Sequence, residues 1–266
     1  MHLQPLRAAT PFEQAMHDYD QQRFGSAFAA FGALLVAALG WWAVRHPIFA
    51  IGGIVVQGDV AHNSAATLRA NVAPRLAGNF FTVDLQKARE AFEAVPWVRK
   101  AVVNRQFPNK LRVVLQEHRP EAFWGTDAES RLVNTYGEVF EANPGDVDQD
   151  EMLPRLAGPE GTSAQVLAMY RGLKPMLEPL DLGVEQVVLT GRGGWSLGLD
   201  SGAVVELGRG TTDEVLARSQ RFARTLTQVT AKYGRRPEAL VTADLRHTDG
   251  YAVKLRGVTT TGTQGN

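Results

Sequence analysis

The sequence predicts an α+β protein carried on a single transmembrane helix near its N-terminus. Three observations indicate this fold class. Residues 24–44 are an uncharged apolar run, residues 48–117 have the pattern of a β-α-α-β-β unit, and residues 118–256 have that of a mixed β-sheet with two helices. A chain of 266 residues can build one large or two ordinary hydrophobic cores, so we expect two domains after the helix.

The apolar run from Phe24 to Val44 predicts the transmembrane helix. It has 21 residues without a charge or a proline, and at ~1.5 Å per residue a helix of this length matches the ~30 Å hydrocarbon core. Trp41 and Trp42 lie where an interfacial aromatic belt is expected. A buried core helix or a cleavable signal peptide fits less well, because the first usually has a polar face and the second ends in small residues.

The orientation of this helix is predicted mainly from the sizes of the two chain segments beside it, since 23 residues precede it and 222 follow it. Arg7 and Arg23 precede it together with the α-amine, whereas Arg45 follows it, which favours a cytoplasmic N-terminus by a narrow margin. We therefore expect residues 1–23 to be a cytoplasmic tail and the remaining bulk of the chain to lie across the membrane.

In the first region after the helix, the spacing of the hydrophobic residues changes from that of helices to that of strands. Its predicted elements are a strand over 48–60, helices over 64–76 and 84–95, and strands over 98–106 and 110–116. In the second strand of the hairpin, Leu111, Val113 and Leu115 share one face. We expect that face to pack on Phe92 and Val95 of the second helix.

The second region is richer in strands, which are separated by Gly- and Asp-containing turns. The predicted strands are 131–133, 138–140, 184–190, 195–199, 203–207, 239–246 and 251–256, and the predicted helices are 163–177 and 212–233. The Thr211-x-x-Glu214 spacing predicts a capping box at the start of the second helix. Residues 257–266 are expected to be a disordered tail.

Composition disfavours several classes of function. The 28 basic and 28 acidic side chains cancel, which argues against a nucleic-acid binder. The chain has no Cys, and its His residues at positions 2, 17, 46, 62, 118 and 247 are never three to five apart. These counts argue against a metal site. We also expect no cofactor and no small-molecule substrate.

One segment matches an enzyme motif. Gly194-Trp195-Ser196-Leu197-Gly198 fits the G-x-S-x-G nucleophile elbow, which presents its Ser at a turn between a strand and a helix. Here a turn and a second strand follow, so Ser196 is predicted to lie in an ordinary strand. Asp244 and His247 come later in the chain, as in such hydrolases, but they share one hairpin. We predict no catalytic residue and no enzymatic activity.

Several stretches resemble the bacterial FtsQ/DivIB family of cell division proteins, in the order in which that family has them. They are Val95-Pro96-Trp97-Val98-Arg99, Phe107 to Val113, Glu117 to Trp124, Leu132 to Phe140, Leu207 to Gly210, Asp244-Leu245-Arg246 and Gly250 to Val253. The resemblance extends from Phe24 to Arg256. His247 is a departure, because the family usually has Tyr at this position.

This resemblance implies a domain layout and a role. The layout is a cytoplasmic tail (1–23), one span (24–44), a POTRA domain (48–117), an FtsQ-type β domain (118–256) and a disordered tail (257–266). The implied role is a non-enzymatic scaffold in the inner membrane that binds FtsB and FtsL, two small single-span proteins, and connects early division proteins to septal peptidoglycan synthesis. The alternatives are a POTRA-type polypeptide-transport component, which would be expected to carry several such units, and a membrane-anchored serine hydrolase.

The last predicted strand is the candidate partner-binding site. Nothing in the sequence supplies a strand to cover its outer side, and an open edge can accept a partner strand, which the resemblance implies is FtsB. We expect Tyr251 and Val253 to share one face as apolar anchors, Ala252 and Lys254 to share the other, and Gly250 to keep the turn low. A proline at Ala252 should abolish binding if its N–H points outward.

Basic residues near this strand complete the predicted site. Arg246 and His247, at the mouth of the hairpin, can meet acidic residues of the partner, and Arg192 is a weaker candidate from the neighbouring meander. The alternative is that all these residues only close the β domain.

Overall fold

The computed structural model describes residues 28–42, 45–125, 131–147, 152–247 and 250–258. Two compact units divide these residues. The first takes its members from Met1–Gly58, Ala66–Phe92 and Ala101–Val114, and the second from Asp59–Ala65, Glu93–Lys100 and Leu115–Asn266. The predicted cytoplasmic tail (1–23) and residues 259–266 of the predicted disordered tail lie outside the described residues.

Helix α1 covers residues 28–42, and all of its side chains are exposed. Residues 24–27 and 43–44 of the predicted span are outside the described part of the chain. In that described part, no helix combines the length and the apolar character that crossing a membrane requires.

The elements of the smaller sheet follow the predicted β-α-α-β-β order. They are β1 (Gly53–Gly58), α2 (Ala65–Val72), α3 (Leu85–Glu93), β2 (Val98–Gln106) and β3 (Lys110–Glu117). The strands form a three-stranded sheet in the order β1-β3-β2. Strand β3 is therefore central, with its hairpin partner β2 on one side and β1 on the other.

Local chemistry sets the ends of the two helices. Asp84 caps α3 as predicted, because its Oδ1 accepts hydrogen bonds from the N–H groups of Gln86 (2.9 Å) and Lys87 (3.1 Å). Helix α2 is shorter than predicted. It gives way to a 3₁₀ turn over Ala73–Arg75, since Pro74 has no N–H to donate to the preceding turn.

Alternate residues of β3 face a core, as the period of two predicts. Leu111 and Val113 are completely buried, and so is Phe92 of α3. Leu115 and Val95, which belong to the second unit, are also buried. Val114, between two of these positions, is 39% exposed, so the strand has one buried and one solvated face.

The second unit contains a nine-stranded mixed sheet in the order β12-β11-β10-β9-β8-β7-β4-β5-β6. Its strands are β4 (Pro120–Trp124), β5 (Arg131–Asn134), β6 (Val139–Glu141), β7 (Arg155–Ala157), β8 (Val184–Leu189), β9 (Gly194–Leu199), β10 (Val204–Arg209), β11 (Leu240–Asp244) and β12 (Ala252–Leu255). Neighbouring strands run antiparallel except for the pairs β4/β7, β7/β8 and β10/β11, which are parallel.

Two of these strands were not predicted. Strand β7 has three residues and lies between β4 and β8, parallel to both. Strand β4 joins the outer hairpin of β5 and β6 to the rest of the sheet. Three residues carry little alternation of their own, so the strand conformation of β7 depends on pairing with distant parts of the chain. Strand β4 pairs with β7 and also antiparallel with the nearby β5.

Helices α4 (Ser163–Leu177) and α5 (Thr212–Ala231) pack on each other and on the large sheet. The predicted capping box is present at α5, where Thr211 Oγ1 accepts from the Glu214 N–H (3.3 Å) and Glu214 Oε2 accepts from the Thr211 N–H (2.8 Å). The alternating large residues of β9 belong to the core beneath these helices, with Trp195, Leu197 and Leu199 all buried.

Candidate partner-binding site

Strand β12 is an edge strand of the large sheet. It pairs antiparallel with β11, and among the described residues no strand pairs with its other side. The register sets Asp244 opposite Ala252, Ala243 opposite Val253, and Thr242 opposite Lys254. An edge of this kind carries a row of unpaired N–H and C=O groups that can bind a further strand.

The direction of each amide in β12 follows from one hydrogen bond. The N–H of Arg256 donates to the Ala239 carbonyl at 2.8 Å, toward β11. Amide directions alternate along an antiparallel strand, and the register shift in this pair skips a residue of β11, not of β12. The N–H groups of Lys254 and Ala252 therefore point toward β11, whereas that of Val253 points outward.

This geometry corrects one expectation. A proline at Ala252 would remove an N–H that pairs with β11, so it would weaken the fold instead of testing the outer edge. The residue whose N–H faces outward, and where proline is compatible with an edge strand, is Val253.

The side chains of β12 alternate as predicted. Tyr251 and Val253 are partly buried against the core of the second unit, while Ala252 and Lys254 are exposed. The ring of Tyr251 packs edge-to-face on Phe222 of α5, with the centroids 5.0 Å apart, and its hydroxyl lies 2.6 Å from Thr225 Oγ1. Tyr251 thus contributes to the fold and also presents one edge to the surface.

A basic groove of about 510 Å³ lies between α5 and the turn that leads into β12. Its lining residues are Arg218, Arg221, Arg224, Thr225, Leu245, His247, Gly250 and Tyr251. Among the described residues that line the groove, three are arginines and none is acidic, so these residues suit an acidic segment.

The three groove arginines are a contribution that the sequence analysis missed. Arg218, Arg221 and Arg224 recur every third residue of α5 and so lie toward one side of the helix. That spacing is visible in the sequence, but it is equally typical of a solvated helix face. Only the packing of α5 beside β12 identifies it as part of a candidate site.

Arg246 is already paired within the hairpin. Its Nε and one terminal nitrogen donate to the two Asp244 oxygens at 2.9 and 2.6 Å, and its own N–H donates to Oδ1 at 3.0 Å. This bidentate contact holds the pKa of Asp244 well below its ordinary range. An acidic partner residue near Arg246 would share the guanidinium with Asp244.

The remaining predicted site residues, His247, Gly250 and Arg192, do not all lie beside the edge strand. His247 and Gly250 are exposed and flank residues 248–249, which are outside the described residues. Arg192 is exposed in the turn between β8 and β9, at the end of the sheet where the turn into β12 also lies. Three strand spacings, roughly 14 Å, separate β9 from β12, so Arg192 is not brought into contact with the edge strand.

Ser196 lies inside β9, opposite Val188 on one side and Glu206 on the other. The chain then turns into β10, so this segment does not form the strand-to-helix elbow that G-x-S-x-G hydrolases need. Within the described ranges, no three His, Asp or Glu side chains are grouped so that they could hold a metal ion.

A buried carboxylate organises one polar cluster of the second unit. Glu117 is 5% exposed, and its oxygens accept from the His62 N–H (3.1 Å) and from Asn63 Nδ2 (3.3 Å), with His62 Nδ1 also 3.1 Å away. The His62 ring stacks on Trp97 at 3.8 Å. Since protein groups occupy this carboxylate, its role is structural.

A second polar cluster surrounds Glu138. Arg99 donates to both of its oxygens at 2.6 and 2.9 Å and lies over the Tyr136 ring, 3.7 Å from the centroid. Asn134 Nδ2 donates to Glu138 at 2.7 Å and lies 2.9 Å from His118 Nδ1. The contact with Arg99 lowers the pKa of Glu138 to about 2, and burial lowers that of His118.

Comparison with known proteins places this fold in a family. A family model described as "POTRA domain, FtsQ-type" matches residues 49–118, and one described as "Cell division protein FtsQ/DivIB, C-terminal" matches residues 122–246. The chain is 42% identical over 235 residues to a cell division protein FtsQ from Burkholderia pseudomallei, covering 88% of this chain and 91% of that protein. It is 38% identical over 245 residues to one from Bordetella pertussis, covering 86% and 88%.

The family-model matches cover the smaller sheet and the larger sheet from Ala122 to Arg246, so strand β12 lies beyond the end of the second match. The resemblance found in the sequence is therefore confirmed, and the chain is a member of the FtsQ/DivIB family of cell division proteins.

Proposed function

We propose that this chain is a non-enzymatic scaffold of the divisome that binds FtsB and FtsL and links early division proteins to septal peptidoglycan synthesis. The observation that supports this proposal most directly is the open outer side of β12 beside a groove lined with arginines. In this proposal FtsB adds a strand to that edge, and FtsL joins the complex with it.

Strand addition divides affinity and specificity between backbone and side chains. Backbone hydrogen bonds to the outward N–H and C=O groups of β12 supply affinity that depends little on sequence. Specificity comes from the exposed Ala252 and Lys254 on one face and from the partly exposed Tyr251 and Val253 on the other. The small side chain of Ala252 leaves room for a large side chain of the partner.

The groove arginines and Arg246 favour a partner strand flanked by acidic residues. Opposite charges also steer the encounter, so a contribution from these residues should weaken as salt is added. In this proposal Arg192 contributes only at long range, because it is three strands away from the edge.

We further propose that the chain is a single-pass inner-membrane protein with a cytoplasmic N-terminus. The apolar run over 24–44 is the proposed span, residues 1–23 are the proposed cytoplasmic tail, and the POTRA domain (48–117) and the β domain (118–256) are proposed to be periplasmic. A reporter fused after Asn266 should then be active only if it functions in the periplasm. Activity of a reporter that folds only in the cytoplasm would contradict this orientation.

A proline substitution tests the proposed docking mode. Val253→Pro removes one outward N–H, so we expect it to abolish binding of the FtsB periplasmic region by the purified region after residue 44, measured by calorimetry. The protein should still fold, because this N–H makes no bond to β11, and the melting temperature should fall only by the lost packing of the partly buried Val253 side chain. Ala252→Pro, one residue away, should lower the melting temperature further.

A second variant tests the side chains. Tyr251→Ala combined with Arg246→Glu should weaken FtsB binding in a protein that is still folded. If Val253→Pro and this double variant were both folded and both bound FtsB with the affinity of the unmodified protein, β12 would not be the docking edge.

A further inference from the structure

A partly exposed aromatic cluster lies at one end of the first unit. Ile48, Phe49, Phe80, Phe81 and Phe107 form it, and we call these five residues the aromatic patch; Phe80 is its buried base, Phe49 is half-buried, and the other three are exposed. Ring centroids are 4.8 Å apart for Phe49 and Phe81, 5.2 Å for Phe80 and Phe81, and 6.3 Å for Phe80 and Phe107, all edge-to-face. A backbone bond from the Phe80 N–H to the Phe49 carbonyl (2.8 Å) ties the two loops together.

Three of the five patch residues are too exposed to contribute much to the hydrophobic core. Phe107 is 77% exposed, Ile48 62% and Phe81 46%. Phe107 lies in the turn between β2 and β3. Clustered exposed apolar side chains of this kind indicate a surface that is covered in the working protein.

The patch is held in place by a basic side chain. Arg105 Nε donates to the Phe80 carbonyl at 2.7 Å, and its terminal nitrogen donates to the carbonyls of Phe81 (3.2 Å) and Val83 (2.7 Å). These three bonds fix the loop that presents Phe80 and Phe81. These hydrogen bonds therefore hold Phe80 and Phe81 in a defined position.

The chain segments that carry the patch are rich in basic residues. Residues 45–58, 73–83 and 101–114 contain no Asp or Glu, and the nearest acidic residues in the chain are Asp59 and Asp84, directly after the first two segments. The basic residues of these segments are Arg45, Arg75, Arg105, Lys110 and Arg112. Aromatic rings surrounded by basic side chains are the combination that suits the boundary between lipid headgroups and acyl chains, particularly where anionic lipids are present.

The position of the patch in the chain limits what can cover it. Phe49 follows Val44, the end of the proposed span, by five residues, which reach at most ~17 Å even when fully extended. The headgroup layer on each side of the hydrocarbon core is about 5–8 Å thick. A patch tethered this closely remains within reach of the membrane surface.

We infer that the aromatic patch inserts into the interfacial layer of the membrane and holds the first unit against the lipid surface. This inference rests on the proposed single-pass anchor. It adds a second, interfacial contact to that anchor, made by the folded unit itself through Phe107, Phe81 and Ile48.

Because the chain contains no Cys, a single probe site needs no other substitution. The full chain carrying Phe107→Cys, labelled with an environment-sensitive fluorophore, would be reconstituted in vesicles of phosphatidylethanolamine and phosphatidylglycerol. We expect a blue-shifted emission that is quenched by lipids spin-labelled at the headgroup. Adding Ile48→Glu and Phe81→Glu to the same chain should abolish both effects.

A matched control comes from the same unit. Gln57 is exposed near the far end of β1, about 17 Å along the strand from Gly52, which bonds to the β2–β3 turn. A fluorophore on Gln57→Cys should show neither the shift nor the quenching. Vesicles of phosphatidylcholine alone should give a smaller shift at Phe107→Cys if anionic headgroups contribute.

The outcomes separate this inference from the proposed anchor. If the labelled chain floats with the vesicles but the probe at position 107 reports water, the anchor stands and the aromatic patch is not a membrane contact. That result would overturn the inference and leave another protein as the occupant of the patch. If the full chain does not float with the vesicles, the anchor and the inference both fail.

Discussion

The substitution Val113→Ala tests the predicted core face of β3. Val113 is completely buried, and the change deletes two methyl-sized groups that contribute ~0.8 kcal/mol each by burial, about 1.6 kcal/mol in total. A residual cavity of roughly 40 Å³ would add about 1 kcal/mol at ~24 cal/mol per Å³. We therefore expect the free energy of unfolding to fall by about 2.5 kcal/mol.

The neighbouring valine supplies the control. Val114 undergoes the same chemical change but is 39% exposed on the other face of the strand, so Val114→Ala should cost well under ~1 kcal/mol. Both variants would be made in the region after residue 44 and unfolded by urea and by heat. A loss of 2.5 kcal/mol corresponds to a fall in melting temperature of roughly 5–10 °C for a chain of this size. Equal effects of the two substitutions would refute the assigned strand face.

Three further predictions concern the polar clusters and the groove. Glu117→Ala should destabilise the fold by about 1–3 kcal/mol for each buried donor left without an acceptor, measured by urea unfolding; an unchanged midpoint would contradict the structural role. Because Arg99 depresses the pKa of Glu138 from 4.5 to about 2, this pair stabilises the fold fully above pH 4.5 and progressively less as the pH falls toward 2. The stability of Glu138→Gln should depend less on pH in that window, and an identical pH profile would show that the pair is energetically silent. Arg221→Glu should weaken FtsB binding and reduce its salt dependence, whereas Lys232→Glu, at the C-cap of the same helix and outside the groove lining, should not; matching losses would indicate a general charge effect.

Much of the local structure was predictable because short-range chemistry specifies it. The Asp84 cap and the Thr211/Glu214 capping box mark helix starts through side chains that bond to N–H groups two or three residues away. The alternation around Ser196 identified β9 and argued against the nucleophile elbow for the same reason, since the faces of a strand alternate residue by residue.

The features that were not predicted have different causes. Strand β7 has three residues and is held by parallel pairing with β4 and β8, which are both distant in the chain. Strand β4 is also short, and it pairs in parallel with β7 as well as antiparallel with the nearby β5. The early end of α2 is a different case, since Pro74 stood within the predicted helix and its missing N–H was underestimated. Arg192 was predicted as a weaker candidate from the neighbouring meander, and the strand order puts three strand spacings between β9 and the edge strand.

For the candidate site, too, some features were predictable from the sequence and others were decided by the tertiary structure. From the sequence alone came the last strand, its two faces, the basic hairpin mouth and the family to which these belong. Tertiary structure alone decided that β12 is at the edge of nine strands, that the Val253 N–H points outward while that of Ala252 does not, and that α5 brings three arginines beside it. The physical reason is that periodicity and capping act over a few residues, whereas strand order and amide direction depend on pairing between segments that are distant in the chain.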